Sequence, residues 1–164
     1  MSRHAWSCAC VLISLLSAGV LHAQAAPFTL GAEPVWYGLA GLTTGGTGLA
    51  RDRGYFLGSE ISVVRVWGGG RFLGAYADGY YDFGAQRTYT TAGVELGYKF
   101  VGVDAGPALR LGGERVEWGA TGRLFATLGV ASVYCRYAYF IAALSPYDRH
   151  VLQIGVLLKV PIVL

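Results

Sequence analysis

Residues 150–164 read His150-Val151-Leu152-Gln153-Ile154-Gly155-Val156-Leu157-Leu158-Lys159-Val160-Pro161-Ile162-Val163-Leu164. From Leu152 onward every second residue is a branched aliphatic: Leu152, Ile154, Val156, Leu158, Val160, Ile162 and Leu164. Between them stand Gln153, Gly155, Leu157, Lys159, Pro161 and Val163. Side chains of a strand alternate between two faces, so a period of two means a strand with one wholly apolar face and one mixed face. Pro161 has no N–H for a ladder, which fits only at a rim.

The same alternation runs upstream. In 115–130, Val116, Trp118, Ala120, Gly122, Leu124, Ala126, Leu128 and Val130 oppose Arg115, Glu117, Gly119, Thr121, Arg123, Phe125, Thr127 and Gly129. In 88–100, Ala92, Val94, Leu96, Tyr98 and Phe100 oppose Glu95 and Lys99. No window after Pro27 has a period of 3.6. Alternation cut by glycine-rich or polar turns predicts strands over 35–44, 55–67, 71–83, 88–100, 103–111, 115–129, 131–144 and 150–164. The joints near Val101-Gly102 and Val130-Ala131 carry the weakest turn chemistry. Charges share one parity in most strands, as with Asp78 and Asp82, or Asp104 and Arg110. Glu60 and Arg65 do not, which requires either a bulge between them or an Arg65 side chain that snorkels from a strand end.

Composition narrows the class. Of 164 residues, 54% are hydrophobic and 14% charged, with 25 glycines and a mean hydropathy of +0.44. A soluble domain carries about 25% charged residues, so this chain is short of water-facing groups, and it is too apolar to be disordered. The net charge of +3 is scattered, which argues against a nucleic-acid partner. One domain is expected from the length.

Arg3 and His4 precede an apolar run from Ala5 to Leu21, followed by Ala23-Gln24-Ala25. A basic start, an apolar middle and an A-x-A end form an export leader. Residues 1–25 are therefore expected to be removed, after Ala25 or Ala23, leaving 26–164 as a single barrel domain. Removal takes away Cys8 and Cys10 and leaves Cys135 and His150 as the only cysteine and histidine. Disulfide, zinc and other metal chemistry is then not expected, nor any cofactor.

Alternation alone fits two opposite proteins: a soluble lipocalin-like binder with an apolar interior, or a membrane barrel with an apolar exterior. Three features favour the second. The mixed face holds Gly93, Gly97, Gly119, Gly129, Gly155, Phe125, Leu157 and Val163 among few charges, too poor for a wet surface. Aromatics gather near strand ends, Trp36 and Trp67 at one, Tyr55, Tyr81, Phe83 and Trp118 at the other, as in the girdles of membrane barrels. Several strands reach the 9–11 residues that a tilted crossing takes. The predicted fold is all-β: an eight-stranded antiparallel up-and-down transmembrane barrel.

In this architecture the chain resembles the small bacterial outer-membrane barrels of the OmpA membrane-domain and OmpX type. Such proteins often end in a strand read by the barrel-assembly machinery, and Gln153, Gly155, Leu158 and Val160 match its spacing. Leu164 departs from the usual terminal aromatic, and residues 161–164 extend past the match. The resemblance implies an outer-membrane location, termini toward the periplasm, and lipid, including lipopolysaccharide, as the surrounding partner.

The charges that this register turns inward are Glu60, Asp78, Asp82, Glu95, Asp104 and Glu117 against Lys99, Arg110, Arg115, Arg123, Arg136 and Lys159. Confined charges must pair, so a salt-bridged interior that plugs the barrel is expected. The expected role is structural, scaffolding or surface interaction. The rival class is a lipid A-modifying acyl hydrolase or transferase, for which Ser145, Asp148 and His150 are the weak catalytic candidates. In Arg51-Asp52-Arg53 the two arginines offer guanidinium groups to lipopolysaccharide phosphates. Tyr134, Tyr137 and Tyr139 are read as lipid-facing or packing residues.

Overall fold

The computed structural model describes residues 34–48, 53–113, 115–141 and 149–162. The leader, Arg51 and Asp52, Ser145 and Asp148, and Leu164 lie outside the described residues. Eight strands run in sequence order: β1 (Val35–Gly48), β2 (Gly54–Trp67), β3 (Arg71–Asp82), β4 (Arg87–Tyr98), β5 (Val101–Leu111), β6 (Glu117–Leu128), β7 (Ala131–Phe140) and β8 (His150–Ile162). Each is antiparallel to the next, and β8 returns to β1, closing an up-and-down barrel. Closure leaves no unpaired edge.

The two ends differ. Pro34, Ile162 and the connections 68–70, 99–100 and 129–130 lie at one, here the terminal end. The longer connections 49–53, 83–86, 112–116 and 141–149 lie at the other, the loop end. The turn between β4 and β5 falls at Lys99-Phe100, two residues before the predicted joint, with Val101 and Gly102 already in β5.

Alternation decides what faces where. On β6, Glu117, Thr121 and Arg123 are buried while Trp118, Ala120, Leu124, Ala126 and Leu128 are exposed. On β8, Val151, Gln153, Gly155 and Leu157 are buried, and Ile154, Val156 and Val160 are exposed. Ile61 and Leu124 are 62% and 60% exposed, whereas Glu60 is 1% exposed. The apolar faces therefore point outward.

β2 pairs with both neighbours without a break, Trp36 with Arg65 and Arg65 with Leu73. No bulge separates Glu60 from Arg65. Arg65 points outward at a strand end, its guanidinium 5.6 Å from the Trp36 ring and 5.3 Å from the Trp67 ring, so its stem snorkels over aromatic surface. Pro161 pairs with Leu39 of β1, beyond Leu158, the last β8 residue to pair with β7. Pro107 was not singled out by the alternation. Beside it the β4–β5 ladder passes from Thr91–Ala108 to Val94–Ala105, skipping the pairs between. Proline has no N–H to offer a ladder.

Inside, large rings sit opposite glycines. Gly58 faces Tyr80 and Gly155 faces Tyr134 across paired strands. A Cβ on Gly155 would lie 2.7 Å from the Thr44 carbonyl oxygen and 2.8 Å from the Tyr134 hydroxyl. A Cβ on Gly58 would meet the Tyr80 side chain and the Gly79 carbonyl oxygen. Gly58→Val is expected to destabilise the barrel by about 1–3 kcal/mol through overpacking. Gly46→Ala is expected to be close to neutral, since only the Gly54 carbonyl oxygen lies near, at 3.8 Å. Urea midpoints of the refolded variants in micelles check both.

Candidate functional site

The inward face of the strands gathers most of the charge. Glu60 on β2, Asp78 and Asp82 on β3, Glu95 on β4, Asp104 and Arg110 on β5, Glu117 and Arg123 on β6, and Arg136 on β7 are all buried, and Lys159 on β8 is half-buried. Two of the residues expected with them stand elsewhere. Lys99 is exposed in the Lys99-Phe100 turn, where its φ of 52° joins the hairpin and its Nζ lies 5.1 Å from the Tyr98 ring. Arg115 is exposed in the connection before β6, where strand parity does not apply.

The central charges form one chain of five, Glu95, Lys159, Glu60, Arg123 and Asp104, and a separate pair, Arg136 and Asp78. Lys159 Nζ lies 2.6 Å from Glu60 Oε1 and 3.3 Å from Glu95 Oε2, and donates to Ser62 Oγ at 3.0 Å. Arg123 donates from Nη1 to Glu60 and from Nε to Asp104, both at 2.5 Å. Arg136 pairs with Asp78, which also accepts from Thr91 Oγ1 at 2.5 Å. Elements distant in sequence are thereby tied across the interior: β2 to β6, β3 to β7, and β4 to β8. A buried ion pair must repay the loss of hydration of both partners, and here the short charge-assisted bonds are reinforced by aromatic faces. The Arg123 guanidinium lies 5.1 Å from the Tyr76 ring and 5.3 Å from Tyr134, and Arg136 lies 5.2 Å from Tyr80 and 5.5 Å from Tyr134. Tyr134 is held in turn by a 2.6 Å hydrogen bond to Thr43 Oγ1.

Toward the loop end the interior becomes aromatic. Phe56, Tyr80, Tyr89, Phe140 and Val151 pack with Tyr134, and Tyr80 stacks on Tyr89 with centroids 4.9 Å apart and planes 4° from parallel. Above them Glu117 pairs with Arg110 and, at 3.4 Å, with Arg87. Arg87 falls one residue before the strand predicted over 88–100 and is the first residue of β4. It shares parity with Tyr89, Thr91 and Glu95, the signal that could have placed it inside. Asp82 accepts from Thr47 Oγ1 at 2.6 Å and from the Gly84 and Ala85 amides at 2.9 and 3.1 Å, and so caps the β3–β4 turn. Toward the terminal end Phe72 and Phe125 approach with centroids 6.1 Å apart.

Some buried atoms reach no hydrogen-bond partner among the described residues: both polar atoms of Gln153, Nε and Nη1 of Arg136, and Oδ1 of Asp104. Gln153 pairs in register with Arg136, so these groups share one region. Buried polar groups of this kind are normally satisfied by ordered water.

His150 stands apart from the charged interior. It is exposed at the loop-end start of β8, with Nδ1 2.6 Å from the Tyr137 hydroxyl and its ring 5.2 Å from that of Tyr139. Tyr137 and Tyr139 face outward, whereas Tyr134 faces in. Gln153 and Gly155 point inward; Leu158 and Val160 lie on the opposite face.

No family model matches the chain, and no curated protein matches it. A solved structure described as "De novo design of transmembrane beta-barrels" is similar over 76% of this chain and 95% of that chain, at 9% identity and a TM-score of 0.44.

Arg123→Met would leave Asp104 buried without its guanidinium and take one of two cations from Glu60. A loss of about 3–5 kcal/mol is expected, because an uncompensated buried charge remains. Arg87→Met, whose side chain is 26% exposed and whose contact is long, is expected to cost under about 1 kcal/mol. Denaturant titration of both variants checks the contrast.

Proposed function

We propose that the chain is a small integral outer-membrane barrel of a Gram-negative bacterium, exported through a leader removed after Ala25 or Ala23. The observation that carries this reading is the inversion of the strands. Ion pairs and hydroxyls occupy the inward face, and Leu57, Ile61, Leu73, Val94, Leu96, Val103, Leu124, Val133 and Ile154 stand exposed on the outward one. Water would penalise that exterior, whereas lipid chains match it. A soluble binder of an apolar ligand needs the opposite arrangement. The strands, of 10 to 14 residues, are long enough for tilted crossings. Exposed aromatics near both ends, Trp36, Tyr98 and Phe100 at one and Tyr55, Tyr81, Phe83 and Trp118 at the other, suit the two interfaces.

On this reading the terminal end faces the periplasm and the longer connections face outward, following the usual division between short turns and longer loops. The interior acts as a plug: the Lys159–Glu60–Arg123–Asp104 chain and the aromatic layer above it fill a ring barely wide enough for its own side chains. The protein's work is then mechanical and interfacial, as a stable membrane element or a scaffold for a partner at the loops. Catalysis at Ser145, Asp148 and His150 gains no support from His150, whose Nδ1 is engaged by Tyr137 on the outward face. Assembly through Gln153, Gly155, Leu158 and Val160, and lipopolysaccharide contact at Arg51 and Arg53, belong to the same proposal.

Expressed with its leader in a Gram-negative host, the protein is expected in the outer-membrane fraction, migrating differently on gels before and after boiling. Reconstituted in a planar bilayer it is expected to carry no steady ion current. A soluble periplasmic product without a mobility shift would overturn the reading, and a steady ion current would overturn the plug. Ser145→Ala and His150→Ala are expected to leave lipid A unchanged by mass spectrometry.

A further inference from the structure

The outward face of the terminal-end rim sets cations against aromatic rings. Trp36 on β1 pairs with Arg65 on β2, Trp67 on β2 pairs with Arg71 on β3, and Arg71 pairs with Tyr98 on β4, whose neighbour is Lys99. The outward face thus presents one unbroken strip of alternating rings and cations across four strands. The Arg65 guanidinium is held against both Trp36 and Trp67, and its Nε has no hydrogen-bond partner. The Lys99 ammonium lies over Tyr98, and Arg71 is exposed.

None of these three cations ion-pairs with a carboxylate among the described residues, and no described residue on the outward face at this end is acidic, since Glu95 and Asp104 point inward. Lys159, the other cation here, is turned inward to Glu60 and Glu95. At the loop end Glu117 holds Arg87 and Arg110, while Arg53 and Arg115 are exposed in connections and lie over no ring among the described residues.

We infer that this strip is a binding site for the phosphate headgroups of anionic phospholipids in the leaflet that the terminal end faces. The inference rests on the membrane-spanning reading and adds a ligand class to it. Indole and phenol rings settle at the headgroup level, which places Arg65, Arg71 and Lys99 at the depth of lipid phosphates. Guanidinium binds phosphate oxygens in pairs, and rings beneath the cations restrict them before the lipid arrives. A zwitterionic headgroup brings its own cation to the phosphate, whereas phosphatidylglycerol brings a net negative charge that the unpaired strip can meet. Attraction of this kind adds per basic residue.

The test uses the full-length exported protein, reconstituted in phosphatidylcholine bilayers with a trace of spin-labelled phosphatidylglycerol or spin-labelled phosphatidylcholine. The spectral fraction of motionally restricted lipid is measured for each. A larger restricted fraction is expected for phosphatidylglycerol. The relative association constant should fall about fivefold for each cation removed among Arg65→Gln, Arg71→Gln and Lys99→Gln. The triple variant, checked for folding by its heat-dependent mobility, should restrict both lipids equally. Arg53→Gln with Arg115→Gln, at the other end, should leave the preference intact. Equal restriction by the wild type, or a preference that survives the triple substitution, overturns the proposal. No restricted lipid of either kind would instead sink the membrane-spanning reading, and this site with it.

Discussion

Inward side chains on neighbouring strands of an eight-stranded ring stand about 5 Å apart at Cβ, and the ring has little space beyond them. A large ring with a bulky neighbour on one flank, as Tyr80 has in Tyr89 and Tyr134 in Phe125, needs a small residue on the other. The barrel meets this constraint by setting Tyr80 against Gly58, Tyr134 against Gly155, Phe56 against Gly45 and Phe140 against Gly119. Each glycine gives up β propensity and in return admits a ring that reaches toward the axis. The stacked pair Tyr80–Tyr89 and the tilted pair Phe56–Tyr80 follow from those clearances.

The same crowding explains why charges can be kept inside. Arg123 and Arg136 each lie against ring faces with short bonds to carboxylates on other strands. A guanidinium is flat and weakly hydrated, so it fits between rings where an ammonium would not. Lys159 occupies the more open position, half-buried and bridging Glu60 and Glu95. Replacing buried ion pairs by apolar groups of equal volume is often neutral or stabilising, so net stability does not explain them. The ion pairs add register, because a one-residue slip of β6 would turn Arg123 outward and leave Glu60 and Asp104 facing each other.

Much of this is legible in the sequence because a period of two fixes both the strand and its faces. The eight strands emerge close to their observed bounds, and the mismatch of Glu60 with Arg65 correctly marks an arginine that leaves the charged face. Parity fails where a strand ends. Lys99 and Arg115 share parity with interior residues but lie in connections, and Arg87, just outside the strand predicted over 88–100, is the first inward residue of β4. Turn chemistry at Lys99-Phe100 gives no glycine or asparagine to mark it, although Lys99 adopts the left-handed region. The aromatic layer is not legible either, since an inward Tyr80 and an outward Tyr81 are equally plausible strand residues. Only the register, with glycine opposite, separates them.

The two ends of the barrel divide rigidity from variation. At the terminal end the connections are short and stitched to their neighbours: Lys99 N donates to Gly70 O at 2.7 Å, Thr127 N to Phe100 O at 2.7 Å, and Lys159 N to Val130 O at 2.8 Å. Those bonds tie successive hairpins into a continuous rim, and the first of them fixes the Lys99 turn beside the turn that joins Trp67 to Arg71. The loop end has longer connections, the kind of segment that tolerates change and carries recognition. A barrel built this way can keep its outward rim and ion-paired interior constant while the loops vary. Variation there is separable from folding, because the glycine–ring pairs and the central ion pairs lie within the strands.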